Sequence, residues 1–189
     1  DLKLLAMSAT IDTRQVSNYM AGADIIECPG CAFPVSVDHT AANQAPLAQK
    51  TISALQTALK SAEKGDILIF LPGQADIKKC IDTAQTTLTE ATELLLLPLH
   101  GSLPLVQQEQ ALLPSPDGKR KVVFTTNIAE TSLTIEGITC VIDSGLEKTL
   151  TYDPTSGMTR LETGYISKAS AEQRKGRAGR TQPGHCIRL

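Results

Sequence analysis

"DILIFLPGQADI", Asp66 to Ile77, contains the change of period on which the fold depends. Ile67 to Leu71 is an unbroken apolar run, too short for a buried helix and suited to a strand covered on both faces. Pro72 and Gly73 end it. Beyond them Ile77, Ile81, Ala84 and Leu88 recur at helical spacing. The same alternation continues outward in both directions. Upstream, Leu47, Thr51, Ile52, Leu55 and Leu59 follow Pro46 as a helix, with Gly65 read as its stop. Downstream, "ELLLLPLH" (Glu93 to His100), "KVVFTT" (Lys121 to Thr126) and "ITCVID" (Ile138 to Asp143) are further apolar runs, again as for strands covered on both faces, and Leu105 to Leu113 reads as a helix between the first two. Strand, helix, strand in this order predicts an α/β fold: a parallel sheet flanked by helices and joined by right-handed crossovers.

After Asp143 the pattern changes. "LEKTLTYDPTSGMTRLETGYI" (Leu146 to Ile166) alternates on either side of "DPTSG", which predicts a protruding β-hairpin. A basic helix over "AEQRKGRAGR" and a last strand, "HCIRL", follow. "FPVSVDH" (Phe33 to His39) reads as one more strand, and "LKLLAM" (Leu2 to Met7) as another. There is no internal repeat and no low-complexity tract.

The 189 residues are 41% hydrophobic, enough for one core with part of a second. No apolar run approaches the ~20 residues of a membrane-spanning helix, and the start of the chain lacks a signal-peptide pattern. An intracellular, cytoplasmic protein without membrane contact is expected. Five cysteines, at 28, 31, 80, 140 and 186, mostly lie in apolar surroundings and read as core packing in a reducing compartment. "CPGC" (Cys28 to Cys31) has metal-like or redox spacing but lacks the second half of a site, so no metal is assigned. Net charge is −2 and unevenly spread: residues 160–189 carry seven Lys or Arg against two acids. A basic island on an acidic chain points to a polyanion partner at one face, or to a solvated basic surface.

Three unusual stretches follow strands: "LPGQADI" after the Asp66 run, "HGSLPL" after the Glu93 run and "TTNIAETSLTI" after the Lys121 run. Ligands of parallel sheets gather at the carboxyl ends of strands, and these loops supply small residues, hydroxyls and backbone amides suited to phosphates. Capped helix starts explain any one of them; three in succession beside a basic segment favour phosphate binding. In "QRKGRAGR", Gln173, Arg177 and Arg180 stand four and three residues apart and share one face if the segment is helical, while Arg174 points elsewhere. Guanidinium forks match phosphate oxygens, and an amide orients water. An ion-pairing surface helix does not explain Gly176 and Gly179, each costing ~1 kcal/mol inside a helix.

"SAT" at Ser8 to Thr10, "TTNIAETSLTI" and "QRKGRAGR", in this order and spacing, resemble the DEAH-box branch of superfamily 2 helicases over nearly the whole chain. The resemblance implies a RecA-like domain in an ATP-dependent RNA helicase. It assigns Ser8, Ala9 and Thr10 to coupling, with residues 1–20 a remnant of the first RecA-like domain and 21–189 the second. Gln173, Arg177 and Arg180 become catalytic, the arginines as fingers. Ser132, Thr134 and Glu136 sense or bind ATP, and Glu136 stands where many relatives have Asp. Gly73, Gln74, Gly101, Ser102, Thr126 and Asn127 face RNA, and the hairpin wedges against stacked bases.

Neither GxxxxGK[ST] nor DEAH occurs in the sequence. The phosphate cradle and the Mg²⁺ site are therefore expected on a first RecA-like domain outside this chain, which begins at Asp1 and reads as an excised piece. ATP with Mg²⁺ is the expected nucleotide, RNA the expected partner, with DNA open because phosphate contacts carry little sequence information. The chain alone is expected to be inactive. A non-catalytic nucleic-acid-binding or partner-docking module is the alternative reading.

Overall fold

The structure, a computed structural model, describes residues 4–6, 13–26, 33–60, 65–88, 93–131, 133–155 and 157–189. Two compact units divide the chain at Cys31/Ala32. The first contains α1 (Thr13–Tyr19), a seven-residue helix with no buried side chain, which the sequence pattern does not announce. Residues 4–6, part of the expected strand "LKLLAM", form no strand, and Leu4 and Leu5 are exposed.

The second unit runs β1 (Val35–His39), α2 (Leu47–Lys60), β2 (Asp66–Phe70), α3 (Gln74–Thr87), β3 (Leu94–Leu99), α4 (Leu105–Leu112), β4 (Arg120–Thr125), α5 (Ile128–Thr131), β5 (Ile138–Asp143), β6 (Leu146–Asp153), β7 (Met158–Tyr165), α6 (Lys168–Lys175) and β8 (Gly184–Arg188). Six strands form one sheet in the order β1-β8-β5-β2-β4-β3, with every pair parallel. β6 and β7 pair antiparallel as a separate hairpin. This is the α/β architecture, parallel sheet plus hairpin, that the sequence predicts.

Alternation along the central strands sends side chains into two cores. Ile67, Ile69, Val122, Phe124 and Ile142 pack with Ile52 and Leu55 of α2 and Ile77 and Cys80 of α3 on one face. Leu68, Phe70, Val123 and Val141 pack with Ala111 of α4, Ala129 of α5 and Ala178 on the other. β3 departs from expectation. Its run reads as doubly covered, yet Leu94 to Pro98 are only half-buried, because β3 is an edge strand, where Pro98 is also tolerated.

Two features of the N-terminal edge differ from their sequence reading. Gly65 is more than a helix stop: its φ is +142°, and a Cβ there would fall 2.3 Å from Thr139 Cγ2. Lys121, read as the first residue of a strand, is fully buried. Its Nζ donates to the carbonyls of Ala111 (3.2 Å) and Leu113 (2.7 Å) and lies 3.5 Å from Asp66 Oδ2. Thus one ammonium satisfies carbonyls at the end of α4 that no intrahelical donor can reach. Asp66 Oδ1 also accepts the Lys121 N–H at 2.8 Å, joining β2 to β4 where both strands begin.

Lys121→Met keeps the aliphatic stem and removes the ammonium. Because Asp66 retains some solvent, the loss should fall at the low end of the ~3–5 kcal/mol typical for breaking a buried pair. A lower urea midpoint with an unchanged slope is the expected readout.

Candidate functional site

Parallel strands bring the three phosphate-suited loops to one edge of the sheet, and side chains connect two of them. Gln74, on the first turn of α3, donates from Nε2 to Ser102 Oγ at 2.7 Å, and Ser102 Oγ lies 3.0 Å from His100 Nδ1. Burial pushes the His100 imidazole below its ordinary value, so the ring is neutral at physiological pH. The third loop joins through the backbone, where the Thr126 N–H donates to Leu99 O at 3.3 Å. Gln74, Gly101, Ser102 and Asn127 are exposed, Thr126 is half-buried and Gly73 is buried. Gly101 is under no steric demand from the protein: a Cβ there would rest 3.8 Å from Ile128 Cδ1.

The basic segment is built differently from its sequence reading. α6 starts at the Ser167 cap, whose Oγ accepts the Ser170 N–H at 3.0 Å, and stops at Lys175. Gly176 is its C-cap, and residues 176–179 continue as turns. Arg177 and Arg180 therefore leave from the turn, not from the helix face with Gln173. Gly179 is required by the chain itself, since a Cβ there would fall 2.6 Å from Phe33 O. That glycine admits a neighbouring strand entry, not a ligand.

Arg174, dismissed by helical spacing, is the most deeply committed of the four cations. It is 1% exposed and stacks 5.0 Å from the Phe70 ring centroid. Its NH1 donates to Asp143 Oδ1 (2.9 Å) and Leu146 O (3.2 Å), and its Nε donates to Glu130 Oε2 (3.1 Å). Ser170 Oγ donates to the other Glu130 oxygen. Arg177, 6% exposed, binds the backbone of α5 and of the segment after it: Nε donates to Glu130 O at 2.9 Å and NH1 to Leu133 O at 2.5 Å. Burial, and after it the charge of Arg180, push the Arg177 guanidinium down to about 10, still protonated at neutral pH. Arg180 is exposed and donates from NH1 to Thr134 Oγ1 at 2.8 Å.

The sequence-predicted residues thus fall into two places. Gly73, Gln74, Gly101, Ser102, Thr126 and Asn127 lie along the C-terminal strand edge, whereas Arg177, Arg180 and Thr134 gather at the segment following α5. Glu136 is exposed and Gln173 half-buried on α6. Ser8, Ala9, Thr10 and Ser132 lie outside the described residues, as do Cys28 and Cys31. Arg174 and Glu130 were missed as a pair. The available signal was Asp143, an acid closing the apolar run "ITCVID", which as a buried carboxylate demands a cation. Among the described residues no cluster of three His, Cys, Asp or Glu side chains is placed to hold a metal ion. Glu130 and Asp143, the acids nearest the arginines, are taken up by Arg174.

The family model "Helicase conserved C-terminal domain" matches residues 50–182. Over its whole length the chain is 40% identical to the probable ATP-dependent RNA helicase DHX34 of Homo sapiens, covering 18% of that protein. It is also 40% identical to the ATP-dependent RNA helicase HrpB of Escherichia coli, covering 23% of it. The crystal structure of the E. coli DExH-box NTPase HrpB superposes with a TM-score of 0.89 at 41% identity, over 100% of this chain and 23% of that one. The chain therefore spans about a fifth of the length of the relatives it matches.

Arg174→Gln keeps a polar side chain but leaves Asp143, 1% exposed, without its cation. A loss of ~3–5 kcal/mol is expected. Arg174→Lys should recover only part of it, because one ammonium cannot reproduce the fork that reaches Asp143 and Glu130 together. Chemical denaturation of the three proteins checks this ranking.

Proposed function

The chain belongs to the helicase conserved C-terminal domain family, and from that premise we propose that it is the second RecA-like domain of a DEAH-box ATP-dependent RNA helicase. In this reading residues 1–20 belong to the first RecA-like domain, which holds ATP and Mg²⁺. The present chain approaches that nucleotide with Arg180 and Arg177 as fingers, Gln173 near the attacking water, and Ser132, Thr134 and Glu136 sensing nucleotide state. Ser8, Ala9 and Thr10 couple the two events. Closure on ATP and release after hydrolysis then move the strand.

The observation that carries the proposal is the separation of the two groups of residues. One edge offers neutral donors in three adjacent loops, with a glycine at 101 that the packing does not require; a phosphate–sugar backbone fits there. The arginines stand over the segment after α5, and Arg180 keeps its guanidinium in solvent. Guanidinium groups at a domain face stabilise charge spreading over a transferred phosphoryl group. The acids beside them are paired with Arg174, so Mg²⁺ is assigned to the first domain and no step here is routed through it. The buried thiols of Cys80, Cys140 and Cys186 suit a reducing cytoplasm.

The experiment is a comparison in the full-length protein. Arg180→Ala should lower RNA-stimulated turnover by ~10³- to 10⁵-fold, the usual cost of a missing finger, while nucleotide-free RNA affinity and stability stay near their original values. Arg177→Ala should lose turnover and stability together, since it leaves the Glu130 and Leu133 carbonyls unpaired. Thr126→Ala should weaken RNA binding by ~1.5–3 kcal/mol and spare basal hydrolysis. The 189-residue chain by itself should hydrolyse no ATP above background. Turnover retained in Arg180→Ala with RNA affinity lost would make the cations an RNA-facing patch and end the finger reading.

A further inference from the structure

The edge described as RNA-facing is short of charge. None of residues 71–75, 100–104, 126 or 127 is Lys or Arg, and desolvation pushes His100 toward its neutral form. Amides and hydroxyls alone orient a phosphate but neutralise nothing, and affinity for a polyanion comes chiefly from cations that displace its counterions. The hairpin supplies a cation to this edge. Lys148, near the start of β6, reaches across to the loop after β2, where a Cβ on Gly73 would fall 2.8 Å from its Nζ and 3.1 Å from its Cδ and Cε. Gly73 has an extended backbone that any residue adopts, with φ at −167°. Its lack of a side chain makes room for the lysine.

We propose that Lys148 is a further RNA-binding residue, the cation that neutralises the phosphate of the nucleotide held by Gln74 and Ser102. This rests on the reading of that edge as RNA-binding. Two observations separate the role from a structural one. The ion pair of Lys148 with Asp76 is long, 4.0 Å, and each side chain is about a third exposed (35% and 34%), so it contributes little to stability. The end of the lysine nevertheless occupies the space that a side chain at position 73 would take, which puts the ammonium beside the residue preceding Gln74. Asp76 acts as a resting partner that the phosphate displaces, because a 4.0 Å pair in water yields readily to a closer anion.

The test measures binding of the 189-residue chain to a fluorescent single-stranded oligouridylate by anisotropy across a potassium chloride series. Removing one phosphate contact from a single strand should reduce the log–log salt slope by ~0.7. Lys148→Gln should show that reduction, and Lys148→Arg should restore it. Lys79→Gln, which removes the same charge from the exposed side of α3, should leave the slope unchanged. A Lys148→Gln slope equal to that of the unaltered chain, or a drop shared by Lys79→Gln, overturns the proposal. Gln74→Ala and Ser102→Ala keep that failure distinct from a wider one. If they weaken binding while Lys148→Gln does not, the edge binds RNA without this lysine. If neither they nor Thr126→Ala changes binding, the edge reading itself is wrong and the lysine's role falls with it.

Discussion

A single buried guanidinium organises this domain. Arg174 lies over Phe70 and meets Asp143 on one side and Glu130 on the other. Through Leu146 O it also reaches the first residue of the hairpin, and Asp143 Oδ1 accepts the Gly145 N–H at 2.9 Å where the chain turns into β6. α6, β5, α5 and the hairpin root are thus joined by one planar group. Desolvating such a cation is costly, and an apolar core of equal volume would often be as stable. What the arrangement provides is registry. Five donors in a fixed plane accept only one relative placement of their acceptors, so α5 and the hairpin cannot shift independently of α6.

The neighbouring arginines divide the remaining work by exposure. Arg177 holds the backbone of α5 from the other side, while Arg180 faces solvent beside Thr134. In a segment that reads as a uniform basic stripe, the three arginines therefore pass from core to surface over seven positions. The glycines mark where the chain must pass close to itself: Gly179 under Phe33, and Gly184 against Ala178, where a Cβ would fall 2.4 Å from a carbonyl oxygen.

Legibility in the sequence followed the range of the forces involved. Ile67 to Leu71 and the helix from Gln74 were readable because period and punctuation are local, and the hairpin was readable because "DPTSG" is a turn by composition. Grouping of the three loops at one edge was also readable, since parallel strands leave no alternative. Strand order was not, so β3 was taken as doubly covered when it lies at an edge. The arginines misled for a related reason. Helical spacing extrapolates only while the helix lasts, and Gly176 ends it one residue after Lys175. Nor does spacing show which cation is drawn inward by an acid 31 positions away, as Asp143 draws Arg174. Short α5, only four residues, depends on that same long-range pairing and left no periodic trace.

The sheet order bears on how the domain is made. β8 lies between β1 and β5, so Val35 finds its partner only at Gly184, 149 positions later in the register. As the polypeptide leaves the ribosome, β2, β3, β4 and β5 can assemble in turn, but β1 must wait with both edges unpaired until residues 184–188 have emerged. Pairings this distant in sequence slow folding, and open strand edges are where nascent chains aggregate. β1 carries its own protection during that wait: it is five residues long and ends in Asp38 and His39, short and polar enough to be a poor template for another strand.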